Sequence, residues 1–262
     1  MMKNLRKYGN APFGIAVIHG GPGAPGEMAP VARAIATYYG VLEPLQTTGT
    51  LEAQVEELRS VLLAHGELPV VLIGHSWGAW LSFIVAARSP NIVRKLILVS
   101  SGPFEDKYAK GIMKTRLERL GDRERTELLS VIDSLGEEHG KRGDRQLARL
   151  GQLISIADSY DPLPHDDDVL KTEYQIFHRV WKDAEGLRES GELLQLAREI
   201  KCPVVAVHGS YDPHPAEGIQ KPLSTVLEDF RFILLNRCGH TPWIERHARD
   251  AFLKVLIEEL GT

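Results

Sequence analysis

Short runs of aliphatic and β-branched residues alternate along the chain with longer segments in which apolar side chains recur every three or four positions. The short runs have the length and continuous hydrophobicity of strands that are buried on both faces of a parallel sheet. The longer segments have the spacing of amphipathic helices. This alternation is typical of an α/β protein whose mostly parallel sheet is flanked by helices. We predict strands at 13–18, 41–45, 70–73, 95–100, 204–207 and 232–235, helices at 27–39, 51–62, 77–89, 216–227 and 248–260, and at most one edge strand in the polar residues 1–12.

The alternation stops near Gly102 and resumes after Pro203. Of the 97 residues from 104 to 200, 37 are charged, compared with 29 of the remaining 165 residues, so this segment differs in composition from its surroundings. No strand-like run occurs in it. The sequence therefore predicts a core domain of residues 1–103 and 201–262 and an inserted helical cap of residues 104–200. Within the cap, amphipathic helical patterns lie at 112–120, 128–135, 147–156 and 169–181.

The motif Gly74-His75-Ser76-Trp77-Gly78 follows the strand at 70–73 and opens the helix at 77–89. A chain that turns directly from a strand into a helix leaves no space for side chains beside the turn, which explains the two glycines. The serine of such a G-x-S-x-G turn lies on a strained backbone, with its hydroxyl above the sheet edge and a helix N-terminus beside it. Ser76 is therefore the predicted nucleophile.

A serine hydroxyl needs a base to remove its proton, and the base needs a third group that fixes its orientation. Asp212 follows the strand at 204–207, and His240 follows the strand at 232–235. Both are therefore expected at the carboxyl-end edge of the sheet, where ligands bind in open parallel sheets. The order Ser, Asp, His along the chain is the one found in α/β-hydrolases. We predict Ser76, Asp212 and His240 as the catalytic residues.

Other histidines and carboxylates lie beside the same strand ends. Glu105 and Asp106 follow another strand and are alternative acids, while His214 is an alternative base. His19 is expected to orient a glycine-rich turn through a hydrogen bond, and His208 to be a core histidine with its polar atoms satisfied.

His165 and the acidic run at 166–168 would suggest a metal site. The acidic run directly precedes the helical pattern at 169–181, so stabilisation of a helix N-terminus explains it better. The sequence predicts neither a metal ion nor an organic cofactor.

Composition narrows the functional classes. A net charge of −4 argues against a nucleic-acid-binding protein. No apolar run reaches the roughly 18 residues that are needed to span a bilayer. The charged N-terminus has no apolar segment behind it, which predicts a cytoplasmic protein without a signal peptide. Cys202 and Cys238 are expected near opposite ends of the sheet and therefore as free thiols.

The turn His19-Gly20-Gly21-Pro22-Gly23, together with Ser76-Trp77-Gly78, resembles α/β-hydrolases and, more specifically, the proline iminopeptidase group of serine peptidases. The resemblance covers nearly the whole chain and implies an α/β-hydrolase fold in which residues 104–200 are the helical cap. It also implies that the backbone N–H groups of Gly21 and Trp77 form the oxyanion hole. The sequence departs from the group at His75, where glycine is more common, and its N-terminus is short for the leading hairpin.

The resemblance and the three catalytic residues predict a hydrolase that cleaves an ester or amide of a small molecule or short peptide through an acyl-Ser76 intermediate. An aminopeptidase for N-terminal proline, a carboxylesterase and a carbon–carbon-bond hydrolase all remain open, as does a hydrolase-fold binding protein without turnover. An aminopeptidase needs carboxylates that hold the substrate ammonium, and in this family the cap supplies them. The predicted substrate-binding residues are His75, Glu173, Tyr174, Phe177 and Trp181, with Glu185 as a second acidic candidate. The sequence does not indicate an oligomeric state.

Overall fold

A seven-stranded sheet forms the centre of the structure, a computed structural model that describes residues 4–135, 140–165 and 168–261. The strands are β1 (Leu5–Tyr8), β2 (Ile15–Ile18), β3 (Val41–Pro44), β4 (Val70–His75), β5 (Val93–Val99), β6 (Val204–Gly209) and β7 (Phe230–Leu235). Their order across the sheet is β1-β3-β2-β4-β5-β6-β7. All neighbouring pairs are parallel except β1 and β3, so the polar N-terminal residues supply the expected edge strand.

Ten α-helices connect and cover the strands of the described residues. They are α1 (Ala29–Ile35), α2 (Leu51–His65), α3 (Trp77–Arg88), α4 (Ile112–Arg119), α5 (Asp122–Leu135), α6 (Lys141–Asp158), α7 (Tyr174–Glu189), α8 (Glu192–Gln195), α9 (Glu217–Val226) and α10 (Arg249–Leu260). Helices α2, α3 and α9 pack on one face of the sheet, and α1 and α10 pack on the other. The prediction of a mostly parallel sheet flanked by helices is thus confirmed.

Alternating side chains of the buried strands feed two separate cores. On β2, Ala16 and Ile18 face the helices α2 and α3, whereas Ile15 and Val17 face α1 and α10. All four side chains are buried, which explains why this strand has a continuous apolar sequence rather than an alternating one.

Helices α4 to α8 lie between β5 and β6, in the segment of residues 104–200 that we call the cap segment. Leu128 on α5 and Leu153 on α6 belong to a small core of their own. Val180 on α7 and Leu193 on α8 instead join the large core that packs against α3. The cap segment therefore contacts the sheet-covering helices closely, and its status as a separate domain stays a prediction.

The helix predicted at 169–181 is displaced: α7 begins at Tyr174 and continues to Glu189. The residues before it are extended, because Leu170 donates its N–H to Pro25 and Glu173 donates its N–H to Gly23. The predicted role of the acidic run at a helix start is therefore wrong. Asp168 lies six positions before α7, and its carboxylate pairs with Arg33 on α1 at 2.8 Å. Residues 166 and 167 lie outside the described residues.

Both cysteines are free thiols, as predicted, with Cys238 buried and Cys202 partly exposed. In the described ranges, no helix combines the length and apolarity that crossing a bilayer requires.

Candidate active site

Ser76 occupies the turn between β4 and α3. Its φ of 51° lies in the left-handed region, where a residue with a side chain is strained, and its partly exposed side chain leaves the sheet edge. The two motif glycines are required for close approach: a Cβ on Gly74 would collide with the Gly78 carbonyl, and one on Gly78 with the carbonyl of Ile18. The local sequence therefore forms the predicted nucleophile turn, directly beside the end of β2.

Asp212 and His240 meet at the ends of the neighbouring strands β6 and β7. The Nδ1 atom of His240 lies 2.7 Å from Oδ2 of Asp212, whose side chain is fully buried. The other oxygen of Asp212 accepts the backbone N–H of His214 at 2.9 Å and lies 2.8 Å from its ring Nδ1. One buried carboxylate thus fixes two imidazole rings.

The shared carboxylate affects the two rings differently. Burial alone would raise the pKa of Asp212, but the surrounding histidines, chiefly His240, hold that pKa well below its ordinary value. For His240, burial lowers the pKa, yet the charge and hydrogen bond of Asp212 prevail and raise it above the ordinary histidine value. For His214, burial prevails and lowers the pKa to about 4. At neutral pH, His240 is therefore the stronger proton acceptor of the two.

The third contact of the predicted triad is not formed. Among the hydrogen bonds of the described residues, none joins the Ser76 hydroxyl to His240. The two side chains do share the same edge of the sheet, because His75, which directly precedes Ser76, lies 3.0 Å from the carbonyl oxygen of His240 through its Nε2 atom. Hydrogen bonds of this kind often tighten only when substrate is bound.

The predicted oxyanion groups lie on two facing loops. Gly21 has a φ of 51° in the turn after β2, and Trp77 is the first residue of α3. Within the described chain, neither backbone N–H donates to a backbone acceptor, so both are free to bind a ligand oxygen. His19 lies 2.6 Å from the carbonyl oxygen of Gly20 through its Nδ1 atom. Since that carbonyl shares a peptide plane with the Gly21 N–H, the contact fixes the direction of the N–H, as expected for His19.

The structure does not place His75 on a free surface of the site. Its side chain is only 2 % exposed, and both ring nitrogens have partners, Glu27 at 2.6 Å and the His240 carbonyl at 3.0 Å. The ring also packs edge-on against Trp243, with 4.7 Å between the ring centroids. The prediction that His75 contacts substrate finds no support in this geometry, because packing leaves the ring no open face or edge.

The predicted substrate-binding residues of the cap segment already have partners within the protein. Glu173 adjoins the oxyanion turn through its backbone, but its carboxylate pairs with Lys171 at 2.8 Å. Tyr174 is buried against Gly143 in the core of the cap segment. Phe177 stacks on Trp181 with 6.3 Å between the ring centroids, and Trp181 stacks in turn on Trp80 of α3 with 5.9 Å between the centroids. Glu185 lies 3.7 Å from Arg188.

The alternative catalytic groups are engaged elsewhere. Glu105 pairs with Lys107 at 3.0 Å, and Asp106 lies 3.4 Å from Arg188.

His208 is buried with its Nε2 atom 2.7 Å from the carbonyl oxygen of His214, but its Nδ1 atom has no partner in the described part of the chain. The expectation of a fully satisfied core histidine is therefore met at one ring nitrogen only.

An ion pair of the cap segment that the sequence analysis missed lies beside the histidines. The carboxylate of Asp158, at the end of α6, binds Arg116 of α4 through two contacts of 2.8 and 2.6 Å. The carbonyl of Asp158 accepts the backbone N–H of His240 at 2.9 Å. Asp158 closes an amphipathic helix pattern, and nothing in its local sequence indicates a partner 42 positions away.

Asp158, His214 and His240 also form a group of candidate metal ligands. One atom from each lies within 4.8 Å of the others, and this is the one such group of three in the described ranges. Both Asp158 oxygens are held by Arg116, and the Nδ1 atoms of both rings face Asp212. The carboxylate of this group is thus already neutralised within the protein, and the adjacent guanidinium opposes a cation.

Comparisons with known proteins agree with this architecture. A family model described as "Alpha/beta hydrolase family" matches residues 15–255. A proline iminopeptidase from Heyndrickxia coagulans is 24 % identical over 260 residues, covering 88 % of this chain and 85 % of the relative. A pimeloyl-[acyl-carrier protein] methyl ester esterase from Chromobacterium violaceum is 26 % identical over 262 residues, covering 95 % of this chain and 94 % of the relative. The crystal structure of a proline iminopeptidase from Mycobacterium smegmatis superimposes with a TM-score of 0.64 at 18 % identity, covering 98 % of this chain and 93 % of that one.

Proposed function

The chain belongs to the alpha/beta hydrolase family, and we propose that within it the protein is a serine hydrolase that cleaves a carboxylic ester through an acyl-Ser76 intermediate. The expected α/β-hydrolase fold and the relation to proline iminopeptidases are both confirmed. The observation that carries the catalytic proposal is the Asp212–His240 contact of 2.7 Å at the sheet edge that also holds the strained Ser76 turn.

In the proposed mechanism, the Ser76 hydroxyl attacks the ester carbonyl while Nε2 of His240 takes its proton. Asp212 holds the ring and stabilises the imidazolium that forms. The negative oxygen of the tetrahedral intermediate accepts the N–H groups of Gly21 and Trp77, each of which is typically worth about 10²–10³ in rate. His240 then protonates the leaving alcohol. Water attacks the acyl-enzyme with His240 as base, and the acid and free Ser76 result.

The charges of the cap segment support an ester rather than an aminopeptidase substrate. An aminopeptidase must hold a substrate ammonium with a carboxylate that is not already neutralised. Asp158, the cap carboxylate beside His240, is neutralised by Arg116 at 2.6 Å, and Glu173 is neutralised by Lys171 at 2.8 Å. The esterase name of the Chromobacterium violaceum relative is consistent with this choice. An uncharged or anionic acyl ester therefore fits the site better than an N-terminal proline.

A covalent labelling experiment tests the nucleophile. We expect a fluorophosphonate to add once to the wild-type protein, as measured by intact mass, and not to add to Ser76→Ala. A panel of acyl esters of different chain length, tested beside a prolyl anilide, then tests the substrate class. Labelling that persists in Ser76→Ala would remove the catalytic proposal, whereas faster hydrolysis of the prolyl anilide than of every ester would reverse the substrate choice.

A further inference from the structure

One chain of hydrogen bonds links the three loops that surround Ser76. The Gly20 N–H, in the oxyanion turn, donates to Oε1 of Glu27 at 2.5 Å. The same oxygen lies 2.6 Å from Nδ1 of His75, the last residue of β4. The Nε2 atom of His75 lies 3.0 Å from the carbonyl oxygen of His240. The oxyanion turn, the nucleophile turn and the base loop are thus joined through one buried imidazole.

Two fixed acceptors hold the His75 ring. Its Nε2 atom faces a backbone carbonyl, and its Nδ1 atom faces the Glu27 oxygen that also accepts the Gly20 N–H. Burial would raise the pKa of Glu27, but the charge and hydrogen bond of His75 act more strongly and bring it to about 2. The ring orientation is therefore set by the loops that it joins.

We propose that His75 and Glu27 form a positioning pair that holds the oxyanion turn and the base loop in register around Ser76. Neither side chain touches the reacting atoms in this role. The packing leaves no room for adjustment, because a Cβ on Gly20 would come within 2.6 Å of Glu27 Oε1 and 3.0 Å of Ser76 Cβ. A shift of the pair therefore moves the oxyanion N–H and the base together. The kinetic consequences rest on the proposed function, whereas the hydrogen-bonded link between the loops does not.

The link between the loops can be measured directly. We would record long-range proton–nitrogen correlations of the histidine rings and identify the His75 and His240 signals by their loss in His75→Asn and His240→Asn. We expect Glu27→Gln to shift the ring signals of both His75 and His240, because the pair holds the base loop. An unchanged His240 signal in Glu27→Gln would overturn the proposal, even if the protein proves to be an active esterase.

Kinetics separate positioning from general stability. We expect Glu27→Gln to lower kcat for an acyl ester about tenfold with little change in KM. The matched control is Glu57→Gln, because Glu57 accepts hydrogen bonds of 2.6 to 3.2 Å from Thr47 and Thr48, outside the chain of contacts through His75. The control should lower Tm without lowering kcat. An equal loss of kcat in both variants would contradict the positioning role.

Discussion

Removing one partner of the Arg116–Asp158 ion pair should shift the pKa of His240 in a direction that depends on which partner is removed. The Asp158 carboxylate raises the pKa of His240, and the Arg116 guanidinium lowers it. Asp158→Asn leaves the cation alone, so the pKa of His240 should fall. Arg116→Gln leaves the carboxylate alone, so the pKa of His240 should rise.

The separation of the groups sets the size of the effect. A carboxylate oxygen of Asp158 lies within 4.8 Å of a ring nitrogen of His240. At an effective dielectric constant of about 20, two unit charges at this separation interact by about 3 kcal/mol. Partial exposure of the His240 ring reduces this, and we expect each variant to shift the pKa by about one unit, equivalent to about 1.4 kcal/mol. The unpaired buried partner should also cost about 3–5 kcal/mol of folding free energy.

The assay is the rate of fluorophosphonate labelling of Ser76 between about pH 5 and 9, which needs no known substrate and follows the neutral fraction of His240. Because the pKa of His240 is raised, the wild-type midpoint should lie above the ordinary histidine value. Asp158→Asn should react at lower pH, and Arg116→Gln only at higher pH. Glu127→Gln, which breaks the Arg149 pair of the cap segment at 2.6 Å, is the control that should not move the midpoint. Shifts of the same sign in both site variants, or none, would refute the reasoning.

Three further outcomes follow from the site. His240→Ala should lose as much hydrolytic activity as Ser76→Ala, since the two act as a unit. His214→Ala should stay within about tenfold of wild type, because a group with a pKa of about 4 does not serve the base role; equal losses would make His214 part of the proton path. Gly78→Ala should fail to accumulate as folded protein by circular dichroism, because its Cβ would collide with the Ile18 carbonyl. Glu173→Gln should change kcat/KM for an acyl ester less than twofold, since the Glu173 carboxylate already pairs with Lys171. A tenfold loss of kcat/KM, equivalent to about 1.4 kcal/mol, that is confined to a prolyl anilide would restore the aminopeptidase interpretation.

Local patterns were sufficient to predict most of the fold. The continuous apolar run at 70–73 followed by glycine predicts β4 and the nucleophile turn, because both features depend on neighbours in sequence. Thr50 is an N-cap of the preferred residue type at the start of α2, and its hydroxyl accepts the Ala53 N–H at 3.2 Å. The spacing of Asp212 and His240 allows one helix and one strand between them, so the parallel topology brings them together.

The sequence does not predict which residues distant along the chain contact each other. Tyr174 begins α7 five residues later than predicted because backbone contacts to Gly23 and Pro25 hold the preceding residues extended. The sequence predicts His75 as a pocket residue, but its ring is buried and its partner Glu27 lies 48 positions away in the chain. No feature of the sequence around Asp158 indicates its contacts with Arg116 and His240. In each case tertiary contacts override a local helical or surface preference.

The base loop and the cap segment have to assemble together for the site to exist. Glu245 is fully buried and accepts three backbone N–H groups, from Gly239 at 2.9 Å, Tyr160 at 2.7 Å and Asp161 at 2.8 Å. A Cβ on Gly239 would collide with the Asp158 carbonyl, so the two chain segments are in direct backbone contact there. One carboxylate therefore joins the loop that carries the base to a part of the cap segment about 80 positions earlier. If His240 is the base, as proposed, the cap segment cannot open at this edge without disturbing the Asp212–His240 contact, so the proposal requires substrate to enter on another side.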